Sequence, residues 1–254
     1  MRINSLSLLF FAPALFSLCG CATLYNPATE RKELIFIDSK TEAAIGKTMI
    51  SQINQGRPPL KDKGEQERIE RLGRRLAQVS DRQDIGYHFF ALEDKELNAM
   101  ALPGGFIYVN SGLIAILNDD ELAYVLGHET GHTAARHIAK KIQAGIGYQL
   151  LLSIAFASIS DNTEPVARDV AQGVDMVYGL IEKGYSRQDE YEADRLGVKY
   201  AFKAGFQPQA ALTALEKIKK GEGPNWKILG YFRTHPYVEE RIAALKAYIA
   251  KLKI

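Results

Sequence analysis

The chain has 254 residues, of which 46% are hydrophobic and 24% charged, and its 32 lysines and arginines against 30 aspartates and glutamates leave a formal net charge of +2. These proportions are those of an ordinary globular domain, so they exclude a disordered chain, a collagen-like repeat, a coiled coil and a disulfide-stapled miniprotein. The near-neutral charge also argues against a nucleic-acid partner, because phosphate neutralisation needs a surface rich in lysine and arginine. Cysteine and histidine are sparse, with two and five residues respectively.

The amino terminus has the layout of a bacterial lipoprotein signal. Arg2 supplies a positive charge, and Leu6 to Leu18 form a mostly apolar stretch that is too short and too broken for a comfortable membrane span. The stretch ends at Leu18-Cys19-Gly20-Cys21, which resembles a lipobox, where the chain is cut before the second cysteine and its thiol carries lipid. We therefore expect a signal peptide at residues 1–20, with an uncleaved membrane anchor as the alternative.

Lipidation of Cys21 would define a mature chain of residues 21–254 without a free thiol. A metal site in that chain must use histidine, aspartate or glutamate ligands. Several acyl chains on one cysteine would anchor the protein stably to a membrane without a transmembrane helix. By resemblance to such lipoproteins, Ala22 after the cysteine favours the outer membrane, with the domain facing the periplasm.

The mature chain is predicted to form one domain that starts with two helices. Ser39 with Glu42 resembles a capping box that opens the first helix, and Asn54 to Gly64 contains two prolines and is predicted to be a loop. The second helix has apolar residues at helical spacing, namely Ile69, Leu72, Leu76 and Val79.

The pattern then changes from helix to strand and back. Ile85 to Leu92 and Met100 to Val109 are rich in aromatic and branched residues and are interrupted by Pro103-Gly104-Gly105, which predicts strands and a turn. Helical patterning resumes after Asn118, and later helices are predicted to start near Thr163, Ser186, Gln207 and His235-Pro236. About two or three short strands among roughly six to eight helices predict a mostly helical α+β fold, and no strand–helix alternation recurs to suggest a doubly wound sheet.

A metal-binding motif lies in the helix predicted to begin near Asp119, at His128-Glu129-Thr130-Gly131-His132. The two histidines differ by about 40° around the helix and by ~6 Å along it, so both imidazoles can bind one metal ion. Glu129 lies beside that face, where it can reach a water on the metal without being a ligand. Two satisfied surface histidines are the alternative.

Glycine flanks both histidines of this motif. Gly127 and Gly131 each cost roughly 1 kcal/mol of helix propensity relative to alanine. Close approach of a substrate or of a neighbouring helix would justify that cost.

A catalytic zinc ion needs a third protein ligand and one open coordination position. His137 is close in sequence, but it lies about 180° around a continuous helix from His128, so we expect it to be structural. A better source is the helix that Ser186 and Asp189 open as a capping pair.

Three acidic residues of that second helix are candidates for the metal site. Glu190 and Asp194 are four residues apart and share a face, so the helix can offer Glu190 to the metal and Asp194 as the acceptor that orients a ligating histidine. Glu192 points about 200° away from Glu190 and is expected to face solvent. The spacing alone is a weak signal, because acidic pairs are common on exposed helices.

Several linked motifs resemble the zinc metallopeptidases that include the HtpX heat-shock proteases and the CAAX prenyl endopeptidases, in particular their secreted LoiP-like lipoprotein branch. The motifs are Asn98-Ala99 with Pro103-Gly104-Gly105, His128 to His132 with Arg136-His137, Ser186-Arg187 with Glu190 to Asp194, and Thr234-His235-Pro236 with Arg241. Their shared order makes the resemblance far more specific than the His-Glu-x-x-His motif alone. It implies a zincin-like domain with a small sheet beside the motif helix.

The resemblance also implies roles for individual residues. One Zn²⁺ per chain would be held by His128, His132 and Glu190, with Glu129 as the catalytic carboxylate. It implies that Asp194 orients a ligand and that His235 lies near the oxyanion. A plain helix-terminal role before a proline is the alternative for His235.

One stretch departs from the membrane-embedded relatives of that family. Those relatives carry transmembrane helices between the two zinc-binding helices, whereas Ile146 to Ile159 is shorter than the roughly 20 residues that a span requires. A core helix is the favoured interpretation, with a lid over the cleft as the alternative.

Together these features predict a zinc metalloendopeptidase with Glu129 as general base. It is expected to hydrolyse peptide bonds of unfolded or misassembled cell-envelope proteins. The strand Phe106 to Val109 is predicted to be a free edge to which an extended substrate adds, with an ordinary core strand as the alternative. The rival function is a catalytically latent lipoprotein that acts as a chaperone-like or assembly-factor binding module. The oligomeric state is left open.

Overall fold

A computed structural model of the chain describes residues 23–145, 170–221 and 230–252. The predicted signal peptide, Cys21, the helix start near Thr163 and the stretch Ile146 to Ile159 lie outside the described residues. The description begins with an antiparallel hairpin of β1 (Thr23–Asn26) and β2 (Arg31–Leu34). The sequence did not predict this hairpin, because its strands are short and largely polar.

Two helices follow, α1 (Ser39–Gly56) and α2 (Lys63–Val79). The predicted capping box at Ser39 is wrong, because the N-cap of α1 is Asp38, whose side chain accepts a hydrogen bond from the backbone N–H of Thr41 at 2.7 Å. Glu42 is instead buried and accepts hydrogen bonds from two arginines. The predicted apolar face of α2 is confirmed by three of its buried residues, Ile69, Leu72 and Leu76.

A three-stranded sheet comes next, with β3 (His88–Leu92), β4 (Ala99–Leu102) and β5 (Phe106–Asn110) in the order β3-β5-β4. β5 runs parallel to β3 and antiparallel to β4. The prediction that Phe106 to Val109 is a free edge is therefore wrong, because this strand is paired on both sides. The reversal between β4 and β5 uses Gly104 at φ 80°, where a Cβ would stand 2.4 Å from the Cα of Ala43.

The rest of the described chain is helical. Its helices are α3 (Ser111–Ile116), α4 (Asp119–Ala134), α5 (residues 137–145), α6 (Val170–Glu182), α7 (Arg187–Lys203), α8 (Ala210–Gly221), α9 (Tyr231–Thr234) and α10 (Val238–Ile249). Full capping boxes open α4, with Asn118 and Glu121, and α7, with the predicted pair Ser186 and Asp189. The mostly helical α+β class with a small sheet beside α4 is confirmed.

The helices α4 and α7 form the centre of the molecule. α4 is buried at every residue from Glu121 to Ala134. One apolar cluster packs α2, α8 and α10 around it, and a second cluster lies between α1, the other face of the sheet, α5 and α6. Among the described helices, none has the length and apolar character that crossing a membrane would require.

Candidate metal centre

Four buried side chains converge between α4, α7 and α9. His128 and His132 come from α4, Glu190 from α7, and His235 is the C-cap of α9. One ligand atom from each lies within 4.8 Å of the others, and none of the four residues is more than 1% exposed. The Nε2 atoms of His128 and His132 are 3.0 Å apart, and Nε2 of His132 is 3.4 Å from Oε1 of Glu190. The structure therefore brings together all three predicted ligands.

The chemistry of these donors fits a zinc ion. Two imidazoles and one carboxylate are the nitrogen and oxygen donors of a common catalytic zinc set. A ligating imidazole must be neutral, and burial holds the pKa of His132 well below its ordinary value. Nitrogens aimed at one point inside the protein are what a shared cation would require.

Arg241 keeps the acidic groups of this centre ionised. It is fully buried, with Nη1 2.7 Å from Oε2 of Glu190 and Nη2 2.7 Å from Oδ1 of Asp194. Burial alone would raise the pKa of Glu190, but Arg241 and His235 together hold it well below its ordinary value. The pKa of Asp194 is also lowered, again mainly by Arg241 against the effect of burial. Glu190 is thus a carboxylate, the form that binds a metal ion.

Asp194 lies where the sequence placed it, behind the first histidine. Its Oδ1 is 2.9 Å from Nδ1 of His128 and accepts a hydrogen bond from the hydroxyl of Tyr124 at 2.7 Å. An N–H at Nδ1 leaves the lone pair of Nε2 for the cluster. The carboxylate therefore fixes both the orientation and the tautomer of His128.

The expectation that His137 lies on the far side of the helix is wrong. It assumed one continuous helix, whereas α4 ends at Ala134 and Arg136 adopts a left-handed backbone with φ 57°. The turn brings Nδ1 of His137 to 2.8 Å from Nδ1 of His132. Arginine rarely adopts a left-handed backbone, so nothing in the sequence predicted this turn.

The expectation that Glu192 faces solvent is also wrong. The residue is only 6% exposed, and its Oε2 lies 3.2 Å from Nε2 of His137. The guanidinium of Arg31 in β2 donates to both of its carboxylate oxygens, at 3.0 and 3.1 Å. Glu192 does point away from Glu190 along the helix, but α5 and the hairpin cover that side.

Glu129 stands beside the cluster without a hydrogen bond. The residue is fully buried, and neither of its carboxylate oxygens has a hydrogen-bond partner among the described residues. Its Oε1 is 3.4 Å from Nε2 of His235. Burial would lower the pKa of His235, but the carboxylates of Glu129 and Glu190 raise it. A buried carboxylate without donors is costly and is typical of a functional group.

Aromatic rings close the centre. Tyr185 stacks on His132 with ring centroids 3.8 Å apart, and Tyr231 stacks on His235 at 4.5 Å. The neighbouring Arg241 also donates a hydrogen bond from Nη1 to the carbonyl oxygen of His235 at 3.0 Å. In this arrangement the described residues shield the metal donors from solvent.

Comparison with known proteins places this centre in a family. The model of peptidase family M48 matches residues 63–249. The chain is 31% identical to the mitochondrial metalloendopeptidase OMA1 of Schizosaccharomyces pombe, over 73% of this chain and 53% of that protein. It is 28% identical to the β-barrel assembly-enhancing protease of Escherichia coli, over 80% of this chain and 42% of that protein.

A third relative matches over nearly its whole length. The metalloprotease YcaL of Escherichia coli is 27% identical, over 98% of this chain and 99% of that protein. The crystal structure of S. mikatae Ste24p superposes with a TM-score of 0.49 at 20% identity, over 81% of this chain and 55% of that one. The chain spans about half the length of the first two relatives. Because the family model covers the sheet, the His128 motif and the Glu190 helix together, the chain belongs to peptidase family M48.

Proposed function

We propose that this protein is a zinc-dependent endopeptidase that hydrolyses peptide bonds within polypeptide chains. The observation that carries the proposal is the fully buried carboxylate of Glu129, which lacks a hydrogen-bond partner among the described residues and stands beside four converging metal donors. A structural zinc site has no use for such a carboxylate, whereas a hydrolytic site needs a base at this place.

The residues of the centre have separate parts in this reaction. His128, His132 and Glu190 would hold the zinc ion, which when bound acidifies water and polarises a carbonyl group. Glu129 takes the proton of the attacking water and delivers it to the leaving amine. His235, whose Nε2 is 3.4 Å from Oε1 of Glu129, would donate to the oxyanion.

The closed geometry supports a resting state that is inactive. Nδ1 of His235 lies 3.2 Å from Nε2 of His128, so His235 also belongs to the donor cluster. If His235 joined the other three donors on a zinc ion, no position would be left for water, as in structural rather than catalytic sites. In our proposal His235 therefore turns from the donor cluster toward the substrate when the site opens. An inactive resting state is the one element that this proposal shares with the alternative of a catalytically latent lipoprotein.

Replacement of the catalytic carboxylate tests the proposed activity. We expect Glu129→Gln to lower the cleavage rate of casein or another unfolded protein by about 100-fold or more, because it removes the general base but not a metal ligand. Zinc content should stay at the wild-type level. The matched control is Glu121→Gln, which changes another buried carboxylate of α4, paired with Lys217 rather than with the metal centre. Equal cleavage by wild type and Glu129→Gln would refute the mechanism and favour the binding module.

We further propose that the substrates are unfolded or misassembled proteins of the cell envelope. One support is the similarity to the β-barrel assembly-enhancing protease of Escherichia coli. Another is β4, which among the described strands pairs only with β5 and lies beside α4, so an extended segment could pair with its other side once the site opens. Main-chain pairing selects for extended backbone rather than for particular side chains, which suits unfolded substrates.

We also propose that the protein is an outer-membrane lipoprotein that faces the periplasm. The support is the lipobox-like sequence Leu18-Cys19-Gly20-Cys21 after the amino-terminal apolar stretch. In cells, Cys21→Ser should move the protein from the membrane fraction to the soluble fraction, because the thiol that carries the lipid is lost. Cys19→Ser is the matched control and should leave the protein membrane-bound. Membrane attachment that survives Cys21→Ser would instead indicate an uncleaved anchor.

A further inference from the structure

We propose that His137, Glu192 and Arg31 are positioning residues that hold His132 in its metal-binding orientation through one continuous chain of hydrogen bonds. The inference rests on the proposed zinc site. The sequence analysis assigned none of these three residues to that site. It also makes the amino-terminal hairpin a component of the metal centre, although Arg31 lies outside residues 63–249 that the family model matches.

The chain of contacts is unbroken. Nδ1 of His132 is 2.8 Å from Nδ1 of His137, and Nε2 of His137 is 3.2 Å from Oε2 of Glu192. Arg31 closes the outer end by donating to both oxygens of Glu192. The inner members are buried, with His132 at 0%, His137 at 2% and Glu192 at 6% exposure.

A single set of protonation states satisfies every member. If Nε2 of His132 gives its lone pair to the metal, Nδ1 carries the hydrogen and donates to Nδ1 of His137. Nε2 of His137 then carries a hydrogen and donates to the carboxylate of Glu192, which accepts on one side and binds Arg31 on the other. Two neutral imidazoles in series thus transmit the basicity of a carboxylate to the ligating nitrogen.

The two ligating histidines are consequently supported in parallel ways by α7. His128 bonds directly to Asp194, whereas His132 reaches Glu192 through His137. Asp194 lies on the same face of α7 as Glu190, whereas Glu192 points about 200° away from Glu190. One helix therefore supplies a ligand and a carboxylate behind each of the two imidazoles.

The left-handed turn before His137 is itself held by charge pairs. Nη1 of Arg136 is 2.6 Å from Oε1 of Glu42, and its Nη2 is 3.0 Å from Oδ2 of Asp84. Oε1 of Glu42 is also 2.7 Å from Nη2 of Arg82. The side chains of Glu42, Arg82 and Arg136 are all buried. These pairs fix the turn that aims His137 at His132, so the positioning does not depend on the hydrogen bond alone.

The hairpin is likewise fixed in place. Glu33 in β2 accepts a hydrogen bond from Lys140 of α5 at 2.6 Å. It also accepts hydrogen bonds from the side chains of Asn26 and Thr29. Arg31 therefore reaches Glu192 from an anchored strand. Because the Arg31 side chain is 50% exposed, we expect its contribution to be smaller than that of the buried members.

Zinc affinity, measured on the full mature protein by competition with a chromophoric chelator, tests the inference without an activity assay. We expect His137→Leu and Glu192→Gln each to weaken zinc binding by about tenfold or more. His137→Gln should recover much of the loss, because its amide can accept from His132 and donate to Glu192. The double variant His137→Leu with Glu192→Gln should be no weaker than His137→Leu, since both act through the same bond chain.

Controls separate positioning from general destabilisation. Glu121→Gln removes another buried carboxylate and should lower stability without changing zinc affinity. On the hairpin, Arg31→Ala should weaken binding by at most about fivefold, and Lys32→Ala, on the neighbouring exposed residue, should have no effect. Zinc affinity within twofold of wild type for both His137→Leu and Glu192→Gln, or additive losses in the double variant, would overturn the inference. Failure of the wild type to bind zinc at all would instead refute the proposed function.

Discussion

Arg241 is the residue on which the charge balance of the metal centre depends. Two carboxylates, Glu190 and Asp194, are buried beside it, and its guanidinium contacts both at 2.7 Å. Burying two anions without a counter-charge would be very costly, and Arg241 supplies that counter-charge. The sequence contained this arginine in a family-like motif, but only the structure shows what it contacts.

Replacement of Arg241 should therefore be most harmful in the metal-free protein. We expect Arg241→Met to lower the free energy of unfolding by about 3–5 kcal/mol in the presence of a chelator, because it leaves Glu190 and Asp194 buried and unpaired. Zinc bound to Glu190 would restore part of this loss. Urea denaturation with and without zinc measures both effects, and an equal loss in the two conditions would contradict this account.

At the scale of elements, the contact between α4 and α7 sets the position of the ligands. A Cβ on Gly127 would stand 2.9 Å from the carbonyl oxygen of Gly197, and one on Gly197 would stand 2.9 Å from the backbone nitrogen of His128. The backbones of the two helices thus touch beside the motif. The sequence left two possible reasons for Gly127, the close approach of a neighbouring helix or of a substrate. The structure shows the close approach of a helix.

Substitution of Gly127 tests the importance of this contact. We expect Gly127→Ala to lower the free energy of unfolding by about 1–3 kcal/mol, because the new methyl group meets backbone that cannot rotate away. Zinc affinity should fall as well, since Glu190 would move away from the histidines. The matched control is Gly179→Ala in α6, where a Cβ would meet nothing within 4 Å among the described atoms. That variant should keep or raise stability through helix propensity. A neutral Gly127→Ala would show that the helices are free to separate.

For the whole molecule, the metal centre joins parts of the chain that are far apart in sequence. Its donors come from α4, α7 and α9, and they lie between the packed helices rather than on the surface. A zinc ion at this place would connect those helices directly. Ligands that bind only the folded state stabilise it by mass action.

Zinc should therefore raise the melting temperature of the protein. At a free concentration about a hundredfold above the Kd, we expect a rise of about 5–10 °C, and a chelator should reverse it. Glu129→Gln should keep the rise, because Glu129 is not assigned as a ligand, whereas Glu190→Ala should lose it. Differential scanning calorimetry measures both. A rise that Glu190→Ala retains would move the third ligand to another residue.

The local features of this protein follow from the sequence by itself. Helical periodicity places His128 and His132 on one face, and side-chain capping at Ser186 sets the start of the helix that carries Glu190 and Asp194. These properties depend on interactions within a few residues, which a single sequence specifies. The mostly helical α+β class follows in the same way.

Only the tertiary structure decided what surrounds that site. β5 became the central strand because both β3 and β4 pair with it, and strand order is a long-range property. His137 turned toward His132 because Arg136, held by Glu42 from α1, adopts a left-handed backbone. Glu192 became buried because the unpredicted hairpin covers its side of α7. Each outcome depends on contacts between distant segments, for which spacing along one helix contains no information.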